Sequence, residues 1–294
     1  MSQPDFSELA AGAVVVSLPM NVRFRGITER EALLFEGPNG WAEWSPFVEY
    51  EDEEARIWLN AALDQAFGPK RHIGKVNVNA TLPAVNPAQV AELLGQFDEF
   101  DTVKIKVAEP GQTIEEDLAR VSAVRIAYPD VKLRIDANGG YSVEQALTVA
   151  ERVGELDYFE QPCKTIGELA ELRVKLHGAV RGAADESVRK VEDPMAVVHA
   201  GAADVLVLKA QPLGGVTNAL AIAEQCGLPV TVSSALETRV GMQAGFALAT
   251  ALGGNTAHGL GTESFFIERE PFGQLASLER RTWWLERLER VLAI

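Results

Sequence analysis

Six polar side chains close short β-branched runs at nearly even spacing, and that rhythm limits the folds open to the chain. Lys106 lies in VKIKV, Asp136 ends KLRID and Glu160 ends DYFE. Asp185 lies in RGAADES, Lys209 ends DVLVLK and Ser233 lies in VTVSS. Successive members stand 30, 24, 25, 24 and 24 residues apart. A strand, a crossover helix and two connections use about that length and bring the chain back to the same level. Each residue is therefore expected at the C-terminal end of its own strand, the end where a barrel builds its chemistry.

The wider pattern agrees. Eight candidate strands run over 76–82, 102–107, 132–136, 158–160, 182–185, 204–209, 229–233 and, weakly, 257–261. Between them lie helical stripes such as Ile114, Leu118, Val121 and Val124, or Val143, Ala146, Leu147, Ala150 and Val153. Alternating strand and helix predicts parallel strands and an α/β fold, either a closed (β/α)₈ barrel or a doubly wound open sheet. No GxGxxG or GxxxxGK[ST] follows any run, which argues against dinucleotide and P-loop sites. The first seventy-odd residues have another texture: strands near 13–18 and 31–36, then a helix over 51–67. The expected division is an α+β unit over 1–75, the barrel over 76–262 and a return segment over 263–294 that packs on the first unit.

Composition narrows function. Of 294 residues, 27 are Lys or Arg and 42 Asp or Glu, giving a formal charge of −15. No basic cluster is present to hold a nucleic-acid backbone, and anionic membrane is disfavoured for the same reason. Cys163 and Cys226 make no disulfide framework, and the four histidines form no zinc pattern. The N-terminal stretch lacks a basic signal-peptide region and the length of a span, so a cytoplasmic protein is expected. The pattern leaves the oligomeric state open.

Strand alternation gives the site its chemistry. Side chains at i and i+2 share a face, so Lys104 goes with Lys106, and Arg134 with Asp136 and Asn138. Likewise Val205, Val207 and Lys209 go together, while Val103, Ile105, Leu133, Ile135, Leu206 and Leu208 fall on the opposite, apolar phase. The charged phase is expected inward, where charge must be paired or bind metal. Three converging carboxylates, Asp136, Glu160 and Asp185, cannot all stay ionised without a cation. All-oxygen ligands suit Mg²⁺, with Mn²⁺ as substitute. Lysines flanking such a metal suggest abstraction of a proton α to a substrate carboxylate, giving an enediolate. The alternative from another class is a binding barrel that uses the metal as a staple and carries out no reaction.

With these residues placed, the chain resembles the enolase superfamily in its muconate-lactonizing-enzyme-like subgroup. The resemblance rests on the KxK pair Lys104/Lys106, the DAN motif Asp136–Asn138, the EQP motif Glu160–Pro162, ADES at 184–187 and the lone Lys209. It implies a modified (β/α)₇β TIM-type barrel, with an N-terminal α+β capping domain completed by the C-terminal segment. Within the subgroup the chain looks most like the short actinobacterial o-succinylbenzoate synthases, through the segments 21–31, 133–142 and 233–241. This implies dehydration of a small-molecule carboxylate in menaquinone biosynthesis. N-succinylamino acid racemases and dipeptide epimerases share the same constellation. By resemblance, Lys106 is the acid/base lysine, Lys104 lowers its proton affinity and Lys209 stabilises the enediolate or acts as a second acid/base group. Ser233, Ser234, Arg134 and Arg25 would contact substrate. Arg23 and Arg25 would sit on a cap loop shielding the site, and Arg239, unusual at its position, would start the next helix.

Overall fold

The computed structural model describes residues 4–24, 26–189, 193–268, 272 and 274–294. A short helix, α1 (Phe6–Ala10), leads into an antiparallel sheet of β1 (Val14–Phe24), β2 (Ile27–Gly37) and β3 (Gly40–Trp44). Helix α2 (Asp52–Phe67) packs on β3. Both hairpin strands run longer than the sequence pattern predicted. Residues 21–24, expected in a loop, continue β1 to the tip of the hairpin, where Phe24 pairs with Ile27.

The second sheet is wholly parallel. Its strands are β4 (Ala80–Leu82), β5 (Thr102–Lys106), β6 (Lys132–Asp136), β7 (Tyr158–Glu160), β8 (Gly182–Ala184), β9 (Val205–Leu208) and β10 (Val230–Val232). They pair in sequence order. The crossovers carry α3 (Val90–Leu94), α4 (Ile114–Ala127), α5 (Val143–Arg152), α6 (Ile166–Leu176), α7 (Glu186–Arg189), α8 (Ala196–His199), α9 (Val216–Cys226) and α10 (Arg239–Leu252). The weak eighth run makes one bridge to each edge, Val78 to His258 and Ser233 to Gly259, so the curled sheet closes with seven full strands and one remnant. The last helix is α11 (Leu278–Leu292). Among the described residues, no helix is long and apolar enough to cross a membrane.

Local sequence explains why strand ends stay free for chemistry. Helices α4, α5 and α6 each open with a capping box: Thr113 with Glu116, Ser142 with Gln145, and Thr165 with Glu168. The cap satisfies the first backbone amides of the helix, so the strand-end acid need not. The apolar phase of the strands packs outward. Val103, Ile105, Leu133, Ile135, Leu206 and Leu208 join the helix faces in one core. The inner phase is a small cluster of Tyr158, Ala183, Val205 and Val207 beneath the charged layer.

A separate core joins β1–β3, α2 and α11 with Ala235, Leu236 and Val240. Trp284 of α11 is fully buried, lies edge-on to Trp44 with ring centroids 5.4 Å apart, and donates from Nε1 to Glu31 at 3.1 Å. Trp284→Ala is expected to lower unfolding free energy by about 3–5 kcal/mol, the usual cost of truncating a buried large aromatic. Urea unfolding checks this, and a loss below about 1 kcal/mol would detach α11 from the core.

His258 adds a pH dependence. Its Nδ1 accepts from the Val232 amide at 3.0 Å, so the folded state needs the neutral ring. Burial, and secondarily the Arg134 guanidinium, hold its pKa down at about 4. An unfolded histidine titrates near 6.5, so below that pH the unfolded chain takes up a proton that the folded chain refuses. Stability is expected to fall as pH drops from about 6.5 towards 4 and to be flat above 7. His258→Asn keeps an acceptor that does not titrate. The drop in melting temperature between pH 7 and pH 5 should be smaller in that variant than in wild type, and an equal drop would count against this role for His258.

Candidate active site

Register sets the site. Lys106, Asp136 and Glu160 are direct neighbours across β5, β6 and β7. Asp185, Lys209 and Ser233 each follow the last paired residue of β8, β9 and β10. Lys106, Asp136, Lys209 and Ser233 line a cleft together with Phe24 from the hairpin tip, and Glu160 and Asp185 lie fully buried beside them.

The charges form one network. Lys104 Nζ donates to both oxygens of Glu160, at 3.0 and 3.1 Å, and lies 3.5 Å from Asp136 Oδ2. Lys106 Nζ donates to the same Asp136 oxygen at 2.6 Å and to Asn138 Oδ1 at 2.6 Å. On the far side Lys209 Nζ donates to Asp185 Oδ2 at 2.6 Å, and Arg189 Nε donates to Asp185 Oδ1 at 2.8 Å. All three acids are at most 1% exposed. The expected residues Lys104, Lys106, Asp136, Glu160, Asp185 and Lys209 are thus brought together.

Burial and neighbours pull the proton affinities apart. Burial, then Asp136, pushes Glu160 up to about 7. Burial opposes the charge on Asp136 too, but Lys106 and Lys104 outweigh it and hold the group at about 2. Asp185 is likewise buried yet held low by Arg189 and Lys209. Burial lowers Lys209, with the pull of Asp185 only partly offsetting it. Lys104 is buried as well, but Glu160 and Asp136 raise it above an ordinary lysine.

As placed, no three acids among the described residues form a cluster ready to hold a metal. Lys104 stands between Glu160 and Asp136, while Lys209 and Arg189 occupy both oxygens of Asp185. The donor chemistry nevertheless suits a hard cation: three buried carboxylates, all-oxygen, on adjacent strands. Glu160, raised by burial and then by Asp136 and Asp185, has the environment that a cation would relieve.

Other motif residues shape the loops. Gln161 accepts from the amides of Asp185 and Ser187 at 3.0 and 3.2 Å, so the EQP motif holds the ADES turn in place. Asn138 adopts φ 47° and donates its amide to Asp136 Oδ1 at 3.1 Å. Ser233 and Ser234 line the cleft. Arg239 begins α10 and pairs with Glu263.

Two expectations change. Arg134 does not reach the cleft. Its guanidinium donates to Asp157 at 2.8 Å and to the Ala257 carbonyl at 2.6 Å, and it stacks 4.5 Å from the Tyr158 ring. It shares the inward phase of Asp136 but sits one pleat lower, where it ties β6 to the eighth run. Arg23 lies in β1 rather than in a loop and donates to the Gly26 carbonyl at 3.3 Å, and Arg25 lies outside the described residues.

Sequence reasoning also missed residues. Phe24 puts its ring 5.2 Å from Lys106 Nζ, a contact that no local pattern announces. Arg189 was readable as the i+4 partner of Asp185. Asp117 and Arg120, a buried pair on α4, hold the backbone after Lys106. Arg120 donates to the Lys106 carbonyl at 2.9 Å, and Asp117 accepts from the Ala108 amide at 2.9 Å.

With this geometry in hand, relatives place the chain. Residues 88–280 match the family described as enolase C-terminal domain-like, and residues 15–66 match enolase N-terminal domain-like. The chain belongs to the enolase superfamily. It is 50% identical to the o-succinylbenzoate synthase of Mycobacterium ulcerans (strain Agy99), over 94% of this chain and 91% of that protein. It is 46% identical to the o-succinylbenzoate synthase of Mycolicibacterium smegmatis, over 97% and 96%. Its sequence thus places this enolase-superfamily enzyme in the o-succinylbenzoate synthase family, a family of lyases. The fold also matches a dipeptide epimerase from Enterococcus faecalis V583, with TM-score 0.74 at 22% identity over 90% of this chain and 93% of that one.

Proposed function

We propose that this superfamily member catalyses the Mg²⁺-dependent syn dehydration of 2-succinyl-6-hydroxy-2,4-cyclohexadiene-1-carboxylate to 2-succinylbenzoate, in the cytoplasm and for menaquinone biosynthesis. The observation that carries the reading is the placement of Lys106 and Lys209. They come from β5 and β9, separated by three strands, and each is bonded to a different buried acid. In this reading the chain divides into a capping domain over 1–75, a catalytic barrel over 76–262 and a C-terminal return over 263–294.

Asp136, Glu160 and Asp185 would hold Mg²⁺, or Mn²⁺ in its place. When bound, the cation offsets negative charge on the substrate carboxylate. Lys106, as the free amine, removes the proton from the carbon bearing that carboxylate. The electron pair moves into the carboxylate to give an enediolate, then returns as the ring double bond while the C–O bond breaks. Lys106 gives its proton to the departing hydroxyl, which leaves as water. Lys104 stands beside it and shares the same Asp136 oxygen. Lys209 stabilises the enediolate from the opposite side. Ser233 and Ser234 meet the succinyl tail, and Phe24 keeps water from the reacting carbon.

Opposed lysines are also the geometry of a 1,1-proton transfer, which keeps racemisation of N-succinylamino acids as a second reading. A substrate panel with the Mg²⁺-loaded protein separates the two. Dehydration should exceed racemisation and dipeptide epimerisation in kcat/KM by at least tenfold, and the reverse order would replace the proposed activity.

A further inference from the structure

The loop between β10 and α10 supplies Ser233, Ser234, Ala235 and Leu236 to the cleft wall. Its conformation is costly. Leu236 adopts φ 64°, a region that residues other than glycine seldom enter. Something must hold it there, and two charged side chains do so. Glu237 accepts from the Ala235 amide at 2.6 Å, and Arg30 donates from Nε to the Leu236 carbonyl at 3.1 Å.

Arg30 belongs to β2 of the other sheet, so the loop is gripped from across the interface between the two units. The same guanidinium donates to Ser45 Oγ at 3.1 Å and stacks 4.2 Å from the Phe47 ring. Beside it, Glu43 of β3 accepts from the Thr238 amide at 2.9 Å, the Thr238 hydroxyl at 2.6 Å and the Gly241 amide at 2.9 Å. It thereby caps α10 from outside the barrel. A Cβ on Gly241 would come within 2.7 Å of that carboxylate, so only glycine admits it. Arg30, Glu43 and Glu237 are all at most 4% exposed. A buried polar cluster of this kind adds little stability over an apolar one, and its best-attested use is to fix one arrangement.

We infer that Arg30, Glu43 and Glu237 form a positioning lock through which the cap sets the wall that recognises the succinyl tail. The inference rests on the proposed substrate, whose tail meets Ser233 and Ser234. None of the three residues touches the reacting atoms. They act through the loop, so their loss should weaken recognition of the tail more than the proton chemistry.

The test is Arg30→Met, which keeps bulk and removes the donors. KM for the dehydration substrate should rise at least tenfold while kcat falls less than threefold. The affinity for 2-succinylbenzoate, measured by calorimetry without turnover, should weaken to match, and Arg30→Lys should recover part of it. Glu237→Met against Glu237→Gln repeats the test should Arg30→Met fail to fold, since glutamine retains an acceptor for the Ala235 amide. The same loss in methionine and recovery in glutamine is expected. A folded Arg30→Met protein that binds 2-succinylbenzoate within twofold of wild type overturns the lock alone, as does a fall in kcat with KM unchanged. A wild type that binds no 2-succinylbenzoate overturns the functional reading and this inference with it.

Discussion

Replacing Lys106 with alanine should reduce dehydration by more than 10⁴-fold while leaving the fold intact. General acid–base participation by one group is typically worth about 10²–10⁴-fold. Here one amine serves twice, removing the proton and then assisting departure of the hydroxyl, so the loss should exceed that range. The side chain is partly exposed and stands at a strand end, so truncation opens no core cavity. Lys209→Ala should lose less, about 10²–10³-fold, the scale of removing one donor aimed at developing negative charge. Steady-state kinetics on both variants, with circular dichroism as a fold control, checks the order. Lys106→Ala activity within tenfold of wild type would remove that residue from the chemistry.

Chelation should have the next largest effect. Offsetting charge on an enediolate dianion is worth several kcal/mol, which corresponds to about 10³-fold or more in rate. EDTA-treated protein should be essentially inactive, should recover with Mg²⁺ or Mn²⁺ and should recover poorly with Zn²⁺, which prefers nitrogen and sulfur. Folding should survive chelation, because Lys104, Lys209 and Arg189 already neutralise the acids. Full turnover in metal-free buffer would contradict the assignment of Asp136, Glu160 and Asp185.

Much of this arrangement was legible because a strand's alternation is strict. In KLRID and VLVLK, period-two phase alone separates outward Leu133, Ile135, Leu206 and Leu208 from inward Asp136 and Lys209. The even intervals then place those inward residues at one level. Phase does not give depth, which is why Arg134 was misplaced. Two residues upstream is about 7 Å lower in the barrel, far enough to exchange the cleft for the eighth run and Asp157. The weakness of that eighth run was itself informative, since it forms single bridges rather than a ladder. Phe24 and Arg30 were not legible at all. Their roles arise from packing of one unit on the other, and nothing in residues 21–31 encodes which barrel loop they will meet.

Proton exchange in D₂O tests the central claim most directly, because it reads the lysine's step without requiring departure of the hydroxyl. The probe is a succinyl-bearing carboxylate with an α-proton and no leaving group, incubated with Mg²⁺-loaded protein and followed by NMR. The account predicts deuterium uptake at the α-carbon in wild type, no detectable uptake in Lys106→Ala, and slower uptake, still on the Lys106 face, in Lys209→Ala. Uptake in Lys106→Ala at the wild-type rate would show that another group moves the proton and would contradict the account.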